Sequence, residues 1–268
     1  MKKIQIPSGK LVFKNRSGFT LIELIVVIVI ICILAAIAYP VMADMKKRSH
    51  AVTSMNNLKF WGSALNRSLA DYNGEMPYDG QKSLTNIALD DPTSWFNRLP
   101  PYMGMKPLSD PSYLTNPPKP GDKSAWINPA VPKDAAKKFL NPPMNFLFCY
   151  SMNYFLSYSS SDNNYKTQPM SRLERPNSVV FMAETADKFA NCNPKYIRPF
   201  FGDGDPYVTL SKAKQEDLEN GAHFLFCDGH VSLIKRKDYT KPEVTDNTLD
   251  ISTIHLTFVP YQGAESSE

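Results

Sequence analysis

Three groups of residues in this chain have types and spacings that could do chemistry. The first is the run Gly221-Ala222-His223-Phe224-Leu225-Phe226-Cys227-Asp228-Gly229-His230-Val231. If it folds as a hairpin turning at Asp228-Gly229, His223 and Cys227 share a face and His230 lies across the turn from Cys227. Three such ligands could hold zinc. The competing reading assigns Asp-Gly to turn geometry and leaves His223 and His230 as polar groups at the hairpin rim. The second group is Asp203-Gly204-Asp205 with Glu184 and Asp187, whose oxygens could take calcium. Its spacing is not that of an EF-hand, and Gly-Asp clusters are also ordinary solvated turns. The third is a single acid, Glu23, at the head of a long apolar run.

No catalytic motif accompanies these groups. There is no nucleophile elbow, no phosphate-cradling glycine loop and no His-Glu-x-x-His helix, so enzymatic activity is not expected. No cofactor is expected either, calcium being the one ion the acidic group could bind. The chain has 268 residues and four cysteines, too few for a disulfide scaffold. Cys32 lies in the apolar run and reads as filler, while Cys149, Cys192 and Cys227 allow at most one internal pair. The charge balance is 30 basic against 26 acidic residues, a net of +4. Lys2, Lys3, Lys10, Lys14 and Arg16 supply that excess, so the remainder is nearly balanced and no nucleic-acid partner is expected. A mean hydropathy of −0.32 excludes a multi-spanning membrane protein.

From Leu24 to Ala43 no residue is charged. As a helix this run is about 30 Å long, enough to cross a bilayer core. The preceding basic residues put the N-terminus in the cytoplasm, although Lys46, Lys47 and Arg48 on the far side count against that orientation. Glu23 is the anomaly, since a charge at mid-helix in lipid costs on the order of 2–3 kcal/mol. It could simply be a first-turn acid favoured by the helix dipole. Its context is more specific: Ser17-Gly18-Phe19-Thr20-Leu21-Ile22-Glu23-Leu24. Here the sequence resembles the type IV prepilins and type II secretion pseudopilins, whose signature is a basic leader, Gly, then Phe-Thr-Leu-Ile-Glu and a long apolar helix. The resemblance runs from Gly18 to Glu23 and on to Pro40.

That resemblance implies cleavage between Gly18 and Phe19 by a prepilin peptidase, which also methylates the amine freed on Phe19. It implies other pilin or pseudopilin subunits, an inner-membrane secretion or pilus assembly platform and membrane lipid as partners. Major pseudopilins similar to this chain carry calcium in a late loop. The charge logic follows independently: a Glu23 carboxylate and a neighbouring subunit's amine attract strongly in an apolar layer, and an unpaired Glu23 there is costly. An ordinary signal peptide is the alternative. Ala36-Ile37-Ala38 is an A-x-A element, and cutting there would release a protein beginning at Tyr39. Glu23, the length of the apolar run and the nearby Pro40 speak against it.

The elements that must position these groups follow from periodicity. Met45, Val52, Met55, Leu58, Leu65, Leu69 and Tyr72 form a helical stripe that continues the apolar run, and Asn73-Gly74 should stop it. A single helix from Phe19 to Tyr72 would be about 80 Å long, bent at Pro40. Residues 76–145 hold 13 of the 22 prolines and cannot form a continuous helix or a central strand. Among them Trp95, Phe96, Tyr102, Tyr113 and Trp126 either line a glycan- or peptide-binding surface or, by the favoured reading, anchor long loops on the core. Strands are expected at 146–150, 154–156, 178–183 after a Pro176-Asn177 turn, 222–227 and 230–234, with an edge strand at 254–259. Asp228-Gly229 should make a two-residue turn with both positions at positive φ.

The stretch ending Asp228-Gly229-His230-Val231 carries a second resemblance, to a C-terminal signature of a large pilin-like group in which His precedes Asp-Gly by nine residues. The position of that His is Leu218 here.

The expected architecture is α+β, a pilin-like long N-terminal transmembrane and amphipathic helix packed on an antiparallel sheet with long Pro-rich loops. Its parts are a leader (1–18), a transmembrane helix (19–43), its amphipathic continuation (44–72), an extracytoplasmic globular domain (73–262) and a disordered tail (263–268). The expected function is that of a structural subunit of a type II secretion pseudopilus or type IV pilus-like filament. It would be single-pass in the bacterial inner membrane, N-terminus cytoplasmic and globular domain periplasmic or extracellular. Gly18, Phe19 and Glu23 would be its working residues. The alternatives are a membrane-anchored or released extracytoplasmic binding module for glycan and, last, an extracytoplasmic metalloenzyme.

Overall fold

A computed structural model describes residues 19–83, 86–133, 146–153, 156, 167, 169–173, 175–187, 191–192 and 221–235. The chain divides into two units, residues 1–46 and 47–268. Helix α1 (Leu21–Asp71) contributes to both, with Pro40 inside it.

In the first unit α1 is apolar and uncovered. Its side chains from Leu21 to Met42 are exposed, and the helix is long and apolar enough to cross a membrane. No face is set apart from the others, as expected of a helix meant for an apolar surround rather than for a soluble core.

In the second unit α1 buries Ser54, Asn57, Leu58, Trp61, Ala64, Leu65 and Ser68, spaced by three and four residues. Leu58 and Leu65 belong to the stripe predicted from apolar residues, and Met55 and Leu69 are half-buried. Val52 and Tyr72 are exposed instead, as is Met45 in the first unit. The true face is rotated from the apolar stripe because three of its positions are polar side chains with buried hydrogen-bond partners. The helix ends where Asn73 and Gly74 turn to positive φ, 53° and 81°, and the Gly74 amide donates to the Leu69 carbonyl at 2.7 Å.

Arg98 then closes that end. It comes from the short helix α2 (Trp95–Arg98) and is buried. Its Nε donates to Ser68 Oγ at 2.6 Å, and its other nitrogens donate to the carbonyls of Ser68, Glu75 and Met76. Its guanidinium lies 3.8 Å above the Tyr72 ring. A cation at a helix C-terminus complements the partial negative charge of the last carbonyls.

The remaining elements are β1 (Gln81–Ser83), β2 (Asn86–Ile87), α3 (Pro111–Thr115), β3 (Phe148–Asn153), β4 (Val180–Asp187), β5 (Asn191–Cys192), β6 (Gly221–Phe226) and β7 (Val231–Lys235). The main sheet runs β5-β3-β4-β6-β7. Its pairs are antiparallel except β3 with β5. This is an α+β arrangement. The first expected strand sits later than predicted: Phe146 and Leu147 precede β3, and Leu156 lies beyond it. Residues 154–155 and 254–259 lie outside the described residues, as do the leader (1–18), the tail (263–268) and Leu218.

An aromatic core joins α1 to the sheet. Trp61 meets Trp95 and Trp126 edge-on, with centroids 5.3 and 5.0 Å apart, and donates Nε1–H to the Ala125 carbonyl at 3.0 Å. Phe96, Phe146 and Phe148 complete the cluster. Trp95, Phe96 and Trp126 are therefore core anchors rather than surface recognition residues. Trp61→Ala should cost about 3–5 kcal/mol. Phe60→Ala, next along the helix but 59% exposed, should change stability by no more than about 0.5 kcal/mol. Urea denaturation of both variants reads the difference.

Candidate functional site

The β6–β7 hairpin carries the residues that sequence reasoning singled out, but it does not bring them together as a metal site. Among the described residues no group of three or more His, Cys, Asp or Glu side chains is placed to hold an ion. His223 is buried and directed at Glu184. Cys227 is fully buried, and burial, with the Asp228 charge second, pushes its thiol up. His230 is exposed, stacks on Phe226 at 4.1 Å and takes its partner from Asp228 Oδ1 at 2.6 Å. The three point to three different environments. Of the calcium candidates, Asp203 and Asp205 and the side chain of Asp187 lie outside the described residues, and Glu184 is enclosed by protein donors.

The turn differs from the two-residue form expected. Only Gly229 has positive φ, at 92°. The Gly229 amide donates to the Phe226 carbonyl and the Phe226 amide to the His230 carbonyl, both at 2.9 Å. Cys227, Asp228 and Gly229 thus form a three-residue loop with glycine in the left-handed position. Asp228 Oδ1 also accepts the His230 amide at 3.0 Å, so the Asp is a local turn cap. The loop tip seats on α1: a Cβ at Gly229 would come 2.9 Å from Asn66 Nδ2, and a Cβ at Gly62 would come 2.8 Å from Leu225 Cδ1 and 3.1 Å from the Gly229 carbonyl oxygen. Gly229 is therefore a clasp between hairpin and helix, on a turn shaped by Asp228 and His230. Gly62 was not singled out from the sequence, although a glycine inside a helix marks a close approach.

Behind the clasp lies a buried polar hub that the sequence did not announce. It gathers Ser54 and Asn57 from α1, Asn128 from the loop before β3, Tyr150 from β3, Glu184 from β4 and His223 from β6. Tyr150 and Glu184 are cross-strand partners. Glu184 Oε1 accepts from Ser54 Oγ, from Asn128 Nδ2 at 3.3 Å and from His223 Nδ1 at 3.1 Å. Its Oε2 accepts the His223 backbone amide at 2.8 Å. A carboxylate only accepts, so Nδ1 is the His223 nitrogen that carries hydrogen. Ser54 spends its one hydrogen on Glu184, so Tyr150 Oη, 2.8 Å away, donates to Ser54 and accepts from Asn57 Nδ2 at 3.2 Å. Burial first, and the Glu184 charge second, push the Tyr150 phenol well above its ordinary value. The hub ties helix to sheet.

At the other end of α1 the Glu23 carboxylate has a partner within its own chain. Glu23 Oε2 accepts the Thr20 amide and the Thr20 hydroxyl, both at 2.8 Å, and the Glu23 amide donates to Thr20 Oγ1 at 3.3 Å. This is a reciprocal cap, and Thr-Leu-Ile-Glu is its sequence pattern. It seats Glu23 one residue from the Phe19 nitrogen that leader removal would free.

Residues 13–39 match the family model described as the prokaryotic N-terminal methylation motif. The match supports a type IV pilin-like precursor. It covers the leader end, Gly18, Phe19, Glu23 and most of the apolar run. No curated protein and no solved structure matches the chain. The apolar helix of this pilin-like chain is consistent with membrane anchoring. The C-terminal Asp-Gly-His stretch stands on its geometry alone.

Two outcomes follow. Gly229→Ala should destabilise the folded domain by about 1–3 kcal/mol, because alanine resists the left-handed conformation and its Cβ meets Asn66; denaturant titration measures it. Cys149 is fully buried, and burial followed by repulsion from Glu184 pushes its thiol up to about 12. At pH 8 an alkylating reagent should therefore leave Cys149 and Cys227 unlabelled in the folded chain and label both in denaturant, as read by peptide mass spectrometry.

Proposed function

We propose that this chain is a structural subunit of a type II secretion pseudopilus or a type IV pilus-like filament, and that it works by assembly rather than by catalysis. Prepilin peptidase cuts between Gly18 and Phe19 and methylates Phe19. The mature chain sits once through the bacterial inner membrane with its N-terminus cytoplasmic and its α+β domain outside. An assembly platform then stacks it with other subunits through the apolar half of α1. One observation carries this reading: a methylation motif at residues 13–39 leads directly into an apolar helix whose side chains the chain itself leaves uncovered. Such a surface needs lipid before assembly and neighbouring helices after it.

Glu23 has two roles in this reading, as the cap of its own helix and as the acceptor for a neighbour's Phe19 amine. The binding-module alternative has less support, since the aromatic residues Trp95, Phe96 and Trp126 that would recognise a glycan are buried in the core.

The mature N-terminus is the direct test. Mass spectrometry of cell envelopes should find methyl-Phe19. A chain starting at Tyr39 means release by signal peptidase, and an intact leader means a plain anchor. A pair of variants separates the roles of Glu23. Glutamine can still close the Thr20 cap but carries no charge. Glu23→Gln and Glu23→Ala should both insert in the membrane and both lose filament incorporation. Normal assembly of Glu23→Gln would leave the acid with its capping role only.

A further inference from the structure

The Glu184 hub is larger than a structural hydrogen bond requires. Among the described residues α1, the loop before β3 and β6 bring donors to one carboxylate on β4, and of these α1 alone is not part of the sheet or its adjoining loop. The rest of the contact between α1 and the sheet is mostly apolar, through Leu58, Trp61, Ala64 and Leu65. Apolar contacts are non-directional and tolerate rearrangement when volume is kept. The close approach at Gly62, the Trp61 Nε1–H bond to Ala125 and the Arg98 bond to Ser68 also oppose a slip, but only the hub adds the loss of donors to a buried carboxylate to its cost. Hydrogen bonds to a buried carboxylate are directional. A shift of α1 by one turn would bring Leu58 to Glu184 in place of Ser54, withdraw the Ser54 donor and leave the Tyr150 hydroxyl without its acceptor. Loss of a donor to a buried charge is far costlier than an imperfect apolar contact.

We infer that the Ser54–Tyr150–Glu184–His223 hub is a register device: it sets the height and rotation at which α1 seats on the sheet. Its residues are positioning residues. The polar members of the helix face are then explained by placement rather than by stability, the best-attested use of buried polar groups in helical packing. The consequence for assembly rests on the filament reading: a subunit stacked through one half of α1 presents its domain at a fixed height only if the other half cannot slip.

The experiment reads the seating in the isolated, detergent-held full chain, so it is independent of whether filaments form. Nitroxide labels are placed at two exposed positions, Ser63→Cys on α1 and Leu233→Cys on β7, with Cys32 and Cys192 changed to serine. Pulsed electron resonance should give one narrow distance in the parent. In the apolar hub variant (Ser54→Ala, Tyr150→Phe, Glu184→Met, His223→Leu) a second distance should appear, displaced by about 5 Å, one helical turn, while circular dichroism still shows the sheet. A single unchanged distance in a folded hub variant would overturn the inference. So would loss of the fold, because a device for placement alone can be replaced by apolar groups of similar volume at little cost in stability.

Discussion

A carboxylate taken out of water has to be given donors by the protein, and Glu184 receives its donors when a helix, a loop and a neighbouring strand arrive together. The globular unit is organised around that requirement. Ser54 and Asn57 have to face inward on α1, which fixes the rotation of the helix and puts Trp61 into the aromatic cluster. The same rotation turns Gly62 and Asn66 toward the hairpin tip. It also leaves Ser68 where Arg98 can reach it, so the end of the helix is held by a charge from a segment well beyond it. Polar contacts at three heights along one helix thus frame an otherwise apolar core.

Legibility in the sequence divided along the same physical line. Local signals were readable because they act within a few residues: Asn73-Gly74 ends α1, Pro176-Asn177 turns into β4, and Asp228-Gly229 makes the hairpin. The uncharged run and the motif at Gly18–Glu23 were readable because no soluble helix needs them. The inner face of α1 was misjudged because an apolar count passes over Ser54, Asn57 and Ser68, whose burial depends on partners about thirty to 130 residues away in the chain. Arg98 was passed over and Glu184 was read only as a calcium candidate for the same reason: nothing next to an acid or a guanidinium in sequence says that distant donors or carbonyls will enclose it. Sequence alternation put His223 and Cys227 on one face but could not see that a carboxylate from β4 would bond the histidine.

Glu23 at the start of α1 and Glu184 on β4 stand under opposite conditions. Glu184 is surrounded by protein and saturated. Glu23 is held only by Thr20, at a helix start whose other neighbours are uncovered apolar side chains. A cap made by one threonine leaves a carboxylate with acceptor capacity to spare. That asymmetry suits one acid to hold a domain together and the other to meet a partner.

The sealed thiols carry a consequence for the order of events during folding. Cys149 and Cys227 are inert once β3 and the hairpin close over them, but in the unfolded chain both are open to oxidation. In the topology proposed above, which puts the domain outside the cytoplasm, burial of those sulfurs would compete with oxidation in that compartment. Collapse of the sheet would then have to win that race, and hairpin closure would protect the chain from covalent mispairing as well as shape it.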